Sequence, residues 1–133
     1  MNPRPVLVLE DSFLIAASLE DALLAAGHPV MLAGTLAEAE AHMEDTDFHA
    51  ALLDFMLPDG DSLGLARRLH AEGCKVAVIS GADRDLVPRD PAITAHFAKP
   101  TDDRDIIAWI AQVARPGAAR ASARDEVPST REP

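Results

Sequence analysis

The sequence predicts an α/β fold in which a parallel sheet is covered by helices on both faces. Two observations carry that prediction: five short, nearly continuous apolar runs, and the helical patterns that alternate with them. A parallel strand pair needs a long crossover, and a helix is the usual one.

The elements follow in order. Pro5 to Leu9 is a β-branched and leucine-rich run that reads as the first strand. Ser12 to Ala26 carries Leu14, Ile15, Leu19, Leu23 and Leu24 at helical spacing and stops at Gly27. Val30 to Ala33 is the second strand, and Thr35-Leu36-Ala37-Glu38 supplies a Thr-x-x-Glu capping box for a helix reaching about Met43. Ala50 to Asp54 is the third strand. The turn-rich Leu57-Pro58-Asp59-Gly60 joins it to a helix from Ser62 to Ala71, closed by Gly73. Lys75 to Ser80 and His96 to Ala98 complete the strands, and Thr101 is placed to cap a last helix with Ile106, Ile110 and Val113 on one face. Between those two strands, Pro88 and Pro91 interrupt any regular helix, so the fourth helix is expected to be short or replaced by a loop.

Composition bounds the function. With 133 residues and 48% apolar content the chain supports one domain and one core. No signal peptide or membrane span is apparent, so a cytoplasmic location is expected. The single cysteine, Cys74, excludes an intrachain disulfide framework. Residues 1–114 hold 19 acidic and 8 basic side chains, for a net charge of −11, which argues against direct DNA binding. Residues 115–133 carry +1 with one larger aliphatic side chain, Val127, too little apolar surface to offset ordering entropy. The expected organisation is a folded domain over 3–115 and a flexible tail over 116–133.

In open parallel sheets ligands bind beyond the carboxyl ends of the strands. The predicted strands end at Glu10-Asp11, Asp54, Ser80 and Lys99-Pro100, which gathers three carboxylates, a hydroxyl and an amine at one edge. Any one of these alone reads as a helix cap, a turn residue or a surface charge. Their shared placement favours a site.

That set, Glu10-Asp11, then Asp54-Phe55-Met56-Leu57-Pro58-Asp59-Gly60, then Val78-Ile79-Ser80-Gly81, then Lys99-Pro100, resembles the response-regulator receiver domains of the chemotaxis (CheY-like) type over residues 4–114. The resemblance implies a flavodoxin-like (βα)5 three-layer sandwich with strand order 2-1-3-4-5. It implies a phosphoryl-accepting aspartate, Asp54, assisted by Lys99 and Ser80. It also implies a magnesium site in which Asp11, Asp54 and the Met56 carbonyl ligate directly while Glu10 acts through water. These are hard oxygen donors of the kind magnesium prefers, and three clustered anions should make a cation stabilising.

Under that resemblance the phosphodonor is a sensor histidine kinase or a histidine phosphotransfer protein, and the output, with no second domain expected, is another protein. Catalysis is limited to the domain's own phosphorylation and dephosphorylation. Pro100 resembles the family's cis-proline turn. His96 stands where many receivers carry a switching aromatic; it is either coupled to Ser80 or an exposed strand-edge histidine. Trp109 falls off the apolar face of the last helix, which fits either a partner surface or partial burial against a neighbouring helix.

Rivals come from other classes. A phosphatase of the haloacid dehalogenase type needs Asp-x-Asp after its first strand, which Leu9-Glu10-Asp11-Ser12 lacks. A flavodoxin-like cofactor binder needs a Ser/Thr/Gly-rich phosphate loop there, and an acidic pair repels phosphate. A degenerate receiver acting as a phosphorylation-independent binding module stays open, because the stretch after Ser80 is atypical.

Overall fold

The computed structural model describes residues 4–81 and 84–113. The expected tail over 116–133, and the outermost residues of the expected 3–115 unit, lie outside the described residues. In chain order the elements are β1 (Val6–Leu9), α1 (Phe13–Ala25), β2 (Val30–Ala33), α2 (Leu36–Asp45), β3 (Ala50–Asp54), β4 (Met56–Leu57), β5 (Gly60–Asp61), α3 (Leu63–Ala71), β6 (Lys75–Ser80), a 3-10 turn (Arg84–Leu86), β7 (Ala95–Ala98) and α4 (Asp103–Val113).

The main sheet runs β2-β1-β3-β6-β7 with every pair parallel, which is the expected 2-1-3-4-5 order once the two-residue strands β4 and β5 are set aside. Because side chains alternate along a strand, each apolar run feeds two cores. Leu7, Leu9, Ala51, Leu53 and Val76 face one side, with Met43 of α2 and Leu65 and Leu69 of α3. Val6, Val8, Ala50, Leu52, Ala77 and Ile79 face the other, under Leu19 and Leu23 of α1 and Ile106 and Ile110 of α4. The three layers are thus written into strands that show no polar face.

Helix ends follow the capping chemistry with three departures. Thr35 Oγ1 accepts from Glu38 N at 3.1 Å as expected, but the Glu38 carboxylate reaches back to Gly34 N, at 2.6 Å, and not to the cap residue itself. Ser62 holds the cap position of α3 without a side-chain bond; Asp61 Oδ1 takes Leu63 N instead, at 3.0 Å. Thr101 does not cap the last helix: its hydroxyl donates to Ala98 O, at 2.7 Å, and Asp102 Oδ1 accepts Arg104 N at 2.8 Å. An ionised carboxylate suits a helix N-terminus better than a hydroxyl, and Asp102 lies one residue closer.

The fourth helix is reduced to the single 3-10 turn Arg84–Leu86. The stretch beyond it is pinned by the Arg67–Asp90 ion pair at 2.8 Å and by Ala92 N donating to Asp90 Oδ1 at 2.9 Å. The turn read over Leu57-Pro58-Asp59-Gly60 is the tip of an antiparallel hairpin, β4–β5, with Met56 opposite Asp61 and Leu57 opposite Gly60. Among the described residues no helix is long and apolar enough to cross a membrane.

Candidate functional site at the carboxyl ends of the strands

The strand ends place Glu10, Asp11, Asp54, Ser80 and Lys99 together. Among the described residues, Glu10, Asp11 and Asp54 form the one group of His, Cys, Asp or Glu side chains able to share an ion, with carboxylate oxygens within 4.8 Å of one another. Glu10 and Asp54 are buried, each 4% exposed, while Asp11 is exposed.

Lys99 Nζ lies 3.1 Å from Glu10 Oε1 and 3.1 Å from Asp54 Oδ1. Those two oxygens are fully buried and have no aligned hydrogen bond, so the ammonium serves them by charge and not by a directed N–H. Three carboxylates and one ammonium leave the cluster two formal charges short of neutrality. The Lys99–Pro100 bond is cis, as the resemblance implied.

Electrostatics follow from that shortage. Burial first, and then the adjacent Glu10 carboxylate, push Asp54 up to about 7 against the opposing pull of Lys99. Burial works to lower Lys99, yet the paired carboxylates of Asp54 and Glu10 outweigh it and hold the ammonium above its ordinary value.

Ser80 is buried, and its Oγ pairs with Nε2 of His96 at 2.5 Å. His96 itself is exposed on the edge strand β7, the strand-edge histidine of the second sequence reading, and this hydrogen bond ties it to Ser80. A cavity of about 240 Å³ opens here, lined by Asp11, Asp54, Met56, Ser80, Gly81 and Lys99 among others. Met56 turns its side chain to solvent. Trp109 is partly buried on the core side that α1 and α4 share, and packs edge-on against Phe97 of the edge strand with ring centroids 6.3 Å apart.

Two features escaped the sequence. Asp59 accepts hydrogen bonds from Leu36 N at 2.9 Å and Ala37 N at 3.2 Å, tying the β4–β5 hairpin to the start of α2. A larger apolar cavity of about 480 Å³ lies beside the acidic cluster, lined by Leu14, Ile15, Leu19, Ile79 and Ile106 with Glu10 and Lys99 at its edge. The run Phe13-Leu14-Ile15, visible in the sequence, was the available signal for the second; nothing local signals the first.

A doubly covered parallel sheet with order 2-1-3-4-5, an acidic trio at its carboxyl edge, and a serine and a lysine at the ends of the next two strands define a receiver-type α/β architecture. Solved structures agree with this class. The chain superposes on a CheY-like response-regulator receiver domain from Methanospirillum hungatei JF-1 with TM-score 0.75 and 26% identity, covering 84% of this chain and 93% of that one. It superposes on the receiver domain of the PhyR response regulator from Erythrobacter litoralis with TM-score 0.74 and 25% identity, covering 86% and 92%. By sequence it is 30% identical over 122 residues to the swarming motility regulation protein RssB of Serratia marcescens, covering 88% of this chain. The chain spans only 56% of the length of that relative. No family model matches. In fold and in sequence the chain is similar to the CheY-like response-regulator receiver domains.

Proposed function

We propose that the chain is a two-component phosphorelay response regulator. In this reading its receiver domain, residues 3–115, accepts a phosphoryl group on Asp54 from a histidine kinase or histidine phosphotransfer protein and signals through protein–protein contacts in the cytoplasm. The observation that carries this reading is the placement of Asp54: buried at the carboxyl edge of the central strand, opening on a cavity, with Lys99 3.1 Å away and two further carboxylates beside it.

The donor set fits magnesium. Its atoms are hard oxygens, two of them buried without a directed partner, and the cluster lacks two positive charges. Asp11, Asp54 and the Met56 carbonyl would hold the ion, with Glu10 behind them. When bound, magnesium supplies charge neutralisation that lets an anionic nucleophile approach an anionic phosphoryl group.

The chain's own residues do the rest. An Asp54 carboxylate oxygen attacks the phosphorus of a phosphohistidine; the new O–P bond forms as the P–N bond breaks, and the donor imidazole leaves with the electron pair and takes up a proton. Lys99 turns its ammonium to the phosphoryl oxygens, which relieves its crowded pairing with Glu10 and Asp54. The Ser80 hydroxyl, now paired with His96, donates to the same oxygens, so the edge strand senses the modification. The reaction is the domain's own modification and reversal, with no turnover of a free substrate.

Phosphate-affinity gel mobility of the purified protein with a small-molecule phosphodonor tests this, with and without magnesium, beside Asp54→Asn. A retarded band that needs both magnesium and Asp54 supports the reading. An acid-labile phosphoryl group retained in Asp54→Asn overturns the site. A folded wild type that stays unmodified by small donors and by phosphorylated kinases would leave the phosphorylation-independent module as the better account.

A further inference from the structure

We propose that Asp59 is a positioning residue for the divalent-ion site: its carboxylate, clamped on the N-terminus of α2, holds the β4–β5 hairpin so that the backbone of Met56, which lines one cavity with Asp11 and Asp54, is kept in place to lend its carbonyl to the ion. The proposal rests on the magnesium reading above and extends it to a residue outside the cluster.

A backbone carbonyl cannot be aimed by its own side chain; the segment that carries it sets its direction. Here that segment is weak by itself. β4 and β5 are two residues each and stand apart from the main sheet. The Met56 side chain is about half exposed, at 48%, so it is a weak anchor. Four contacts hold the hairpin: Leu57 buried in the α2–α3 core, Ser62 N donating to Phe55 O at 2.8 Å and Phe55 N donating to Ile79 O at 3.2 Å at the base, and Asp59 at the tip.

The tip contact is the long-range one. Asp59 takes Leu36 N on one oxygen and Ala37 N on the other, two first-turn donors that α2 cannot satisfy internally. Those bonds hold its carboxyl below the usual range. Gly60 makes the approach close: a Cβ there would stand 3.3 Å from Leu36 Cδ1. The start of α2 is in turn tied to the other half of the site, because it follows β2, whose Ala33 O accepts Glu10 N at 3.0 Å. Asp59 therefore joins the hairpin bearing Met56 to the corner that supports Glu10.

The test is isothermal titration of magnesium into the full chain, wild type against Asp59→Ala, Asp59→Asn and Thr35→Ala, with thermal unfolding of each in EDTA. The Thr35 hydroxyl caps the same helix through Glu38 N and lies outside the acidic cluster, so Thr35→Ala matches the cost of an uncapped α2 without removing the Asp59 bonds. The expected result is about a tenfold weaker magnesium affinity in Asp59→Ala, an intermediate loss in Asp59→Asn, and wild-type affinity in Thr35→Ala despite a lowered melting temperature. Equal affinity in wild type and Asp59→Ala overturns the positioning role alone, as does an equal loss in Thr35→Ala. Absence of saturable binding to the wild type overturns the magnesium reading and the proposal with it.

Discussion

Asp54 carries a stability cost in the metal-free protein that its pH dependence makes measurable. Its folded-state value stands at about 7 against 3.8 for the free side chain, so the folded chain binds the extra proton between those limits. Stability from this group is therefore fully present below about pH 4 and is lost as pH rises through 7. In EDTA this component should appear as a fall in the urea midpoint of the wild type relative to Asp54→Asn as pH rises from 5 to 8, with His49, held below its ordinary value by burial, working in the opposite direction in both proteins. Asp54→Asn should lack this component and be the more stable form at pH 8. Parallel pH profiles for the two proteins would contradict the picture of an uncompensated buried carboxylate. At this scale the sequence was informative about which residues meet: Glu10, Asp11, Asp54, Ser80 and Lys99 were readable because each ends a strand. It was silent on how they share charge, since Lys99 bridging two buried oxygens depends on side-chain paths across three strands. Asp59 was invisible for a related reason. Its partners lie 22 and 23 residues upstream, and a local Pro58-Asp59-Gly60 reads only as a turn.

Elements were legible wherever local chemistry decides them. Strands over Ala50–Asp54 and Lys75–Ser80 sit where apolar content and flanking turns put them, and α1 and α3 stop at Gly27 and Gly73, each at φ +91°, where L side chains are disfavoured. Two prolines foretold the loss of the fourth helix, but not what replaces it. That role falls to a tertiary ion pair: Arg67 of α3 holds Asp90 with two hydrogen bonds from its guanidinium, at 3.0 and 2.8 Å. The Arg67 side chain is mostly exposed, so the pair should matter more for local order than for global stability. Arg67→Ala is expected to leave the melting temperature within a few degrees of wild type while speeding amide exchange over residues 87–93. Unchanged exchange there would mean the two prolines and the Thr94–Val76 contacts hold the segment unaided.

At the scale of the whole molecule, the acidic cluster and the large apolar cavity share a border, and that adjacency bears on how a phosphodonor is recognised. Glu10, Ile79 and Lys99 line the apolar cavity, while Ile79 and Lys99 also line the smaller one that opens on Asp54. Phe13 and Leu14 at the start of α1 are each 79% exposed, and Ile15 is 42% exposed. An amphipathic helix normally turns such residues inward, but here the buried side of α1 is already supplied by Ala16, Leu19 and Leu23. The surplus apolar residues therefore form a patch beside the acidic cluster, the kind of surface that marks a protein contact. On the proposed function, a small phosphodonor needs only the cavity at Asp54, whereas a protein donor bringing a phosphohistidine there would lie over this patch. Leu14→Asp should accordingly slow transfer from a phosphorylated kinase or phosphotransfer protein by about tenfold or more, the scale of losing one apolar anchor to a desolvated charge. Its modification by a small-molecule donor should proceed at the wild-type rate, since the residue contacts neither the cluster's hydrogen bonds nor its ion pairs. Parallel losses with both donors would instead place Leu14 in the chemistry of the site, and undiminished protein transfer would move the docking surface elsewhere on the domain.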